Sequence, residues 1–260
     1  MHASRRPLIA GNWKMNQGGA GAADLAAKVA KLTADYAGVD VVVGPPFTAL
    51  ASVAQAVAGA RVTVTAQNLY PKDGGAFTGE VSATMILEAG AKWVIVGHSE
   101  RRQYFKETDG FVAEKMAAAM AKDLRPIACV GETLEERERG DTLAVVGRQL
   151  DALAKGLAER PGYGVIAYEP VWAIGTGKVA GPEQAQEVHA MVRAKLANVS
   201  ADLAQKTLIL YGGSVKGSNA PGLLGAPDVD GALVGGASLD AEDFAKIAAA
   251  AQALAKVLAK

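Results

Sequence analysis

The stretch VIAYEPVWAIGTGKVAGPEQAQEVHAMVRAKL, residues 165–196, reads as one strand, one loop and one helix. Residues 165–168 form a short continuous apolar run, the pattern of a parallel strand buried on both faces. Beyond the loop, Ala185, Val188, Val192 and Leu196 recur at helical spacing, and Gly181-Pro182 supplies a helix start. The same unit repeats outward in both directions. Further apolar or β-branched runs stand at residues 8–10, 39–43, 62–66, 93–96, 127–130, 207–210 and 232–234, with alanine-rich helical segments between them. Eight strand-helix units in 260 residues, with no proline-rich linker, are what a closed (β/α)8 barrel requires. The sequence therefore predicts an α/β fold, a barrel of eight parallel strands with outer helices, as one domain over residues 1–260. A doubly wound open sheet is the alternative, because periodicity does not show closure. Residues 17–27 and the C-terminal Ala-Lys tract read as helix surface.

Half of the residues are hydrophobic, enough for a sizeable core. Lysine plus arginine equals aspartate plus glutamate at 27 each, so the chain as a whole offers no attraction to nucleic acid or an anionic membrane, and any anion must be bound locally. The one cysteine, Cys129, excludes an internal disulfide and suits a reducing compartment. Its apolar neighbours Ile127, Ala128 and Val130 favour a core thiol over a nucleophile. Residues 1–7 carry arginines without the apolar stretch of a signal peptide behind them, and no segment approaches the run needed to span a bilayer. The expectation is a soluble, cytoplasmic protein.

The loop after residue 168 contains Gly175-x-Gly177-x-x-Ala180, which resembles a dinucleotide fingerprint. That motif needs its first glycine directly after the strand and an acidic end to the next strand. Here Glu169 to Trp172 intervene, and the next strand ends in Tyr211-Gly212-Gly213. Nor is Gly177-Lys178 a Walker loop, since Val179 follows the lysine. The layout suggests a lid instead: stiff Pro170-Val171-Trp172, then supple Ala173, Ile174, Gly175, Thr176 and Gly177, then Lys178 leading back to the helix. Glu169 stands at its base, at a strand's C-terminal end, where a barrel projects its catalytic groups.

The other strand ends supply Asn12 and Lys14, Gln67 and Asn68, His98-Ser99-Glu100-Arg101-Arg102, Glu132, Tyr211-Gly212-Gly213-Ser214 and Gly235-Gly236. Eight loops facing one way would gather these around one cavity. Taken singly, Lys14 also reads as a surface lysine, His98 as a core or capping histidine, and Glu100 as a solvated helix start that Ser99 caps. His189 lies at the edge of a helical stripe and His2 in a terminus, so neither competes with His98. The glycine pairs at consecutive strand ends point to a phosphate site made of backbone N–H groups, although tight turns would use the same residues. No HExxH, CxxC or GxSxG is present, so neither metal ligands nor a nucleophile elbow are expected.

Ordered runs at residues 11–16 (GNWKMN), 75–80 (GAFTGE), 96–102 (VGHSERR), 168–178 (YEPVWAIGTGK), 211–215 (YGGSV) and 233–239 (LVGGASL) resemble the triosephosphate isomerase family over nearly the whole chain. The resemblance implies a TIM barrel and a cofactor-free isomerase that interconverts dihydroxyacetone phosphate and D-glyceraldehyde 3-phosphate through an enediolate. It makes Glu169 the general base, with His98, Lys14 and Asn12 acting on the substrate oxygens. The glutamate base and neutral histidine are the family's known division of labour, carried over from the resemblance. Glu100, Ser99 and Cys129 would support them. In the family Gly175, Ser214, Gly235 and Gly236 give N–H groups to the phosphate, while Pro170 to Lys178, Tyr211 and Leu233 form the lid and its clamp, with Ile174 and Leu233 pressing on Glu169. The resemblance also implies a homodimer whose interface includes Thr78 and Met15, and a phosphorylated triose as the small-molecule partner. A different phosphate-binding barrel is disfavoured by the lack of a second acidic strand-end pair. A noncatalytic binding barrel is disfavoured by the intact Glu169, His98 and Lys14.

Overall fold

The computed structural model describes residues 5–174 and 180–258. Eight parallel strands, β1 (Leu8–Asn12), β2 (Asp40–Gly44), β3 (Thr63–Ala66), β4 (Trp93–Val96), β5 (Arg125–Val130), β6 (Val165–Tyr168), β7 (Ile209–Tyr211) and β8 (Gly231–Val234), follow one another around a closed barrel. Closure is made by β1, which pairs with β2 on one side (Ala10 opposite Val42) and with β8 on the other (Ala10 opposite Leu233). The open-sheet alternative is thereby excluded. Outside run α1 (Gly19–Leu32), α2 (Leu50–Ala56), α3 (Ala83–Glu88), α4 (Ser99–Phe105), α5 (Asp109–Ala121), α6 (Leu134–Glu138), α7 (Thr142–Glu159), α8 (Pro182–Val199), α9 (Ala201–Lys206), α10 (Ala220–Leu224) and α11 (Ala241–Leu258).

The apolar runs are continuous because each strand has two buried faces. Leu8, Ala10, Val42, Trp93, Ile95, Ile127, Cys129, Val165, Ala167, Leu210 and Leu233 fill the barrel. Their alternating neighbours, among them Ile9, Val41, Val43, Val94, Ile166, Ile209 and Val234, pack against the helices. Each fully buried side chain of this size stabilises the fold by about 1.5–3 kcal/mol before chain entropy is counted.

The eight runs expected from sequence are the eight strands, with small shifts that have local causes. β7 starts at Ile209 rather than at 207 because Thr207 still closes α9, its N–H donating to Leu203 O at 3.0 Å. The two segments read as helix surface are so on one side only: Ala20, Ala27 and Ala253 are exposed, while the opposite side of each helix is buried. Ala22, Ala26 and Val29 of α1 are fully buried, as are Phe244, Ile247, Ala248 and Ala251 of α11, at helical spacing. Small side chains let these two helices pack against each other and the barrel. The α8 stripe is buried as expected, under an N-terminus made by Gly181 and Pro182.

Below the strands, on the side away from their C-terminal ends, a buried charge network ties the sheet's closing strands together. Asp230 is fully buried and accepts from Arg5 Nε at 2.7 Å, from Arg193 and from the N–H of Ile209 at 3.0 Å. Among the described residues no helix is long and apolar enough to cross a membrane.

Candidate active site

Strand alternation decides what reaches the barrel mouth. One step beyond the side chains that fill the barrel, the next positions in phase are Asn12, Gly44, Gln67, Gly131, Glu169, Gly212 and Gly235. Each is a glycine or a polar residue. Apolar packing therefore ends there, and a cavity of about 310 Å³ opens above it, lined by Asn12, Lys14, His98, Glu169, Ile174, Leu233 and the loops from Gly212 to Lys216 and from Gly235 to Ala237. On β4 the phase breaks at Gly97, whose φ of +67° turns the chain, and His98 comes next.

Glu169 is 2% exposed and doubly held. Its Oε1 lies 2.9 Å from His98 Nε2, and its Oε2 accepts the backbone N–H of Ser99 at 2.8 Å. Burial opposes its charge, but His98, the Ser99 N–H and Lys14 together outweigh burial and hold its pKa below the usual carboxylate value. Gly212 makes this placement possible, because a Cβ there would stand 2.8 Å from Glu169 Cγ. His98 caps α4, its Nδ1 accepting the N–H of Glu100 at 3.2 Å. That donor requires a bare Nδ1 and leaves the ring hydrogen on Nε2, facing Glu169. Burial pushes the imidazolium down, yet the Glu169 carboxylate, aided by Glu100, more than offsets it, so the pKa stands above its ordinary value while the two groups touch. Ser99, expected as the cap, is instead the first helical residue, and its main-chain N–H rather than its hydroxyl serves the site.

Lys14 is held in the left-handed region, φ 52°, a conformation that costs a lysine of order 1 kcal/mol or more. Its N–H donates to Asn12 Oδ1 at 3.0 Å, and Gln67 Nε2 donates to its carbonyl at 2.8 Å. The ammonium pairs with Glu100 at 2.7 Å, and its Cε lies 3.6 Å from where a Cβ on Gly235 would sit. Lys14 thus spans the distance between the imidazole end of the cavity and the glycine end.

At the glycine end, no described residue accepts from the N–H groups of Ser214, Gly235 or Gly236. A Cβ on Gly236 would meet nothing within 4 Å. The other pair has a further role: Gly212, whose N–H donates to Tyr168 O at 2.7 Å, leaves room for Glu169, and Gly213 leaves room for the Tyr211 hydroxyl, while both border the cavity. Ser214 Oγ donates to Ala173 O at 2.9 Å, and the Tyr211 hydroxyl lies 3.5 Å from Ala180 O, so the end of β7 and the loop after it touch both sides of the β6–α8 connection. Val171–Ala173 form a 3-10 turn after Pro170, and Ile174 and Leu233 both border the cavity. Gly175, Thr176, Gly177 and Lys178 lie outside the described residues.

Not every strand-end polar group enters the cavity. Asn68 instead accepts from the buried Lys115 ammonium at 2.7 Å. Glu132 turns to the start of the loop after β6, accepting from Trp172 Nε1 at 2.8 Å and the Tyr168 hydroxyl at 3.2 Å. Glu100 reaches the site only through Lys14 and His98. Cys129 is buried inside the barrel, where burial first and the nearby Glu169 charge second keep its thiol well above the ordinary range. His189, placed by sequence at a stripe edge, is fully buried, its ring against Tyr168 and Tyr211. Sequence reasoning missed Gln67 as the holder of Lys14 and Glu132 as the anchor of Trp172, although both stood visibly at strand ends. Among the described residues no group of three or more His, Cys, Asp or Glu could hold a metal ion.

Comparison with known proteins gives the same picture. The family model described as Triosephosphate isomerase matches residues 7–251. A Pseudomonas putida (strain GB-1) triosephosphate isomerase is 51% identical over 250 residues, covering 95% of this chain and 99% of that protein. The Rhodopirellula baltica enzyme of that name is 53% identical, covering 95% and 98%. That of Moorella thermoacetica is 53% identical over 244 residues, covering 94% and 98%. With a closed eight-stranded barrel and a match over nearly its whole length, this chain belongs to the triosephosphate isomerase family.

Proposed function

We propose that this chain interconverts dihydroxyacetone phosphate and D-glyceraldehyde 3-phosphate in the cavity at the barrel mouth, with Glu169 as the general base. The observation that carries the reading is a buried carboxylate 2.9 Å from an imidazole, in a cavity shared with Lys14 and, at its far end, with N–H groups that donate to no described residue. A phosphate in the cup of Ser214, Gly235 and Gly236, joined by Gly175, would leave the two reacting carbons between that cup and Glu169.

The base is parked. To reach a carbon-bound proton Glu169 leaves His98 and Ser99, the contacts that lower its pKa most; burial, which raises it, remains, with only the smaller lowering by Lys14 against it. Moving into the cavity therefore makes the carboxylate more basic at the moment it is needed. Ile174 and Leu233, which border the cavity, supply the apolar clamp as the lid from Pro170 to Lys178 closes. His98, released from the carboxylate that raises its pKa most, keeps burial as its largest influence, on the lowering side, with Glu100 raising it and Lys14 lowering it further. Its Nε2–H then gives a proton to one substrate oxygen and recovers it from the other. Lys14 and Asn12 stabilise the negative charge of the enediolate. One placed base contributes about 10²- to 10⁴-fold and one charge donor about 10²- to 10³-fold, so the groups must act together. The proton moves between two carbons of one molecule, and the reaction calls for no cofactor.

The barrel acts as one domain and, on our reading, as half of a homodimer. Met15, next to Lys14, is 94% exposed, and Phe77, next to the exposed Thr78, is 39% exposed. Apolar side chains set in water beside the catalytic lysine suit a surface that a second copy covers. A single buried free cysteine suits the cytoplasm. The test is a coupled assay of purified protein with glyceraldehyde 3-phosphate, following dihydroxyacetone phosphate with glycerol-phosphate dehydrogenase and NADH. Turnover on the order of 10³ s⁻¹ or below, saturating in substrate, is expected; no turnover above the uncatalysed rate would overturn the reading.

A further inference from the structure

The charges around the cavity are unevenly committed. Lys14 is tied to Glu100, and Glu169 is held by His98 and Ser99. Lys216, two residues beyond Ser214 in the loop after β7, lines the same cavity; its side chain is exposed and its ammonium pairs with no described residue. The loop that carries it is fastened on both sides. Asn219 Oδ1 accepts the Lys216 N–H at 2.8 Å, and Asn219 Nδ2 donates to Ser214 O at 3.1 Å. The next N–H, of Gly217, donates to Asp243 Oδ1 at 3.1 Å, which joins the loop to the first turn of α11 and engages the carboxylate that also lines the cavity. A cation that pairs with no described residue is therefore carried, on a braced backbone, by a residue lining the same cavity as Ser214, Gly235 and Gly236.

We propose that Lys216 is a binding residue for the substrate's phosphate: its ammonium draws the dianionic group into the glycine end of the cavity and holds it there, complementing Lys14 at the reacting oxygens. The inference rests on reading the glycine end as the phosphate cup. With a formal net charge of zero the chain as a whole steers no anion, so attraction must come from a local charge such as this one. An exposed ammonium within a Debye length of its target, about 10 Å at 0.1 M salt, changes affinity several-fold rather than by orders of magnitude, and the effect fades as salt rises.

The test compares the native enzyme with Lys216→Gln and Lys216→Arg, using inorganic phosphate as a competitive inhibitor. At low ionic strength Lys216→Gln should raise both the inhibition constant for phosphate and KM by about three- to tenfold, with the loss falling on KM more than on kcat. The difference should shrink toward unity above about 0.5 M salt, and Lys216→Arg should restore both constants. If phosphate inhibits the native enzyme and Lys216→Gln equally, the role of Lys216 is refuted while the cup stands. If phosphate does not compete with substrate even in the native enzyme, the cup reading fails and this inference with it. A loss that falls on kcat, persists at high salt and is not rescued by arginine marks a disturbed loop, and also refutes it.

Discussion

Replacing Glu169 by aspartate shortens the side chain by one methylene and withdraws the carboxylate by about 1.5 Å. In the parked state its oxygens lie 2.9 Å from His98 Nε2 and 2.8 Å from the Ser99 N–H, so both contacts are lost or stretched beyond hydrogen-bond length. On the proposed mechanism the same retraction applies in the cavity, where the base would meet a carbon acid whose phosphate is held at the other end. A misplacement of about 1 Å costs on the order of 10²-fold, so kcat should fall by about 10²- to 10³-fold. KM should change by less than about threefold, because Ser214, Gly235, Gly236 and Lys216 are untouched. The coupled assay over a range of glyceraldehyde 3-phosphate concentrations separates the two constants, and circular dichroism checks that the fold is retained. A loss carried by KM, or a kcat within threefold of the native value, would refute the assignment of Glu169 as the base.

Two further predictions concern the frame around the site. Burial lowers His189 to about 4 from 6.5, so the native state disfavours its imidazolium; its stabilising effect is complete above about pH 6.5 and is lost as pH falls toward 4. The native protein should lose up to about 3 kcal/mol more than His189→Asn over that interval in urea unfolding, and parallel losses would contradict the burial account. Asp230→Asn leaves Arg5 and Arg193 without their buried carboxylate and should destabilise the fold by about 3–5 kcal/mol in the same experiment; a change below 1 kcal/mol would show that the network is not needed to join β7, β8 and the N-terminal segment.

Most of the barrel is legible in the sequence because the apolar runs that fill it have buried neighbours on both faces. Period-two alternation also forecasts the mouth: Val165 and Ala167 point inward, and Glu169 is the next in phase. What sequence conceals is pairing across strands. Glu132 and Asn68 stand at strand ends like the site residues, but only the fold shows them serving Trp172 and Lys115. The glycines carry the same ambiguity. Gly212 and Gly236 look alike in sequence, yet one makes room for Glu169 and the other borders open space. Which alanines of α1 and α11 are buried, Ala22, Ala26, Ala248 and Ala251 among them, was hidden for a related reason, since alanine is at home on either face of a helix and only the neighbouring layer decides.

The proposed mechanism requires a carboxylate that leaves His98 and Ser99 to take a proton from carbon. Proton NMR in deuterated water reads that step directly, as deuterium entering the carbon-bound positions of dihydroxyacetone phosphate. The native enzyme should catalyse the exchange, and Glu169→Gln, which has nearly the same size but no base, should lower its rate by about 10³-fold or more. Exchange by Glu169→Gln at the native rate would contradict the account, because another group would then be removing the proton.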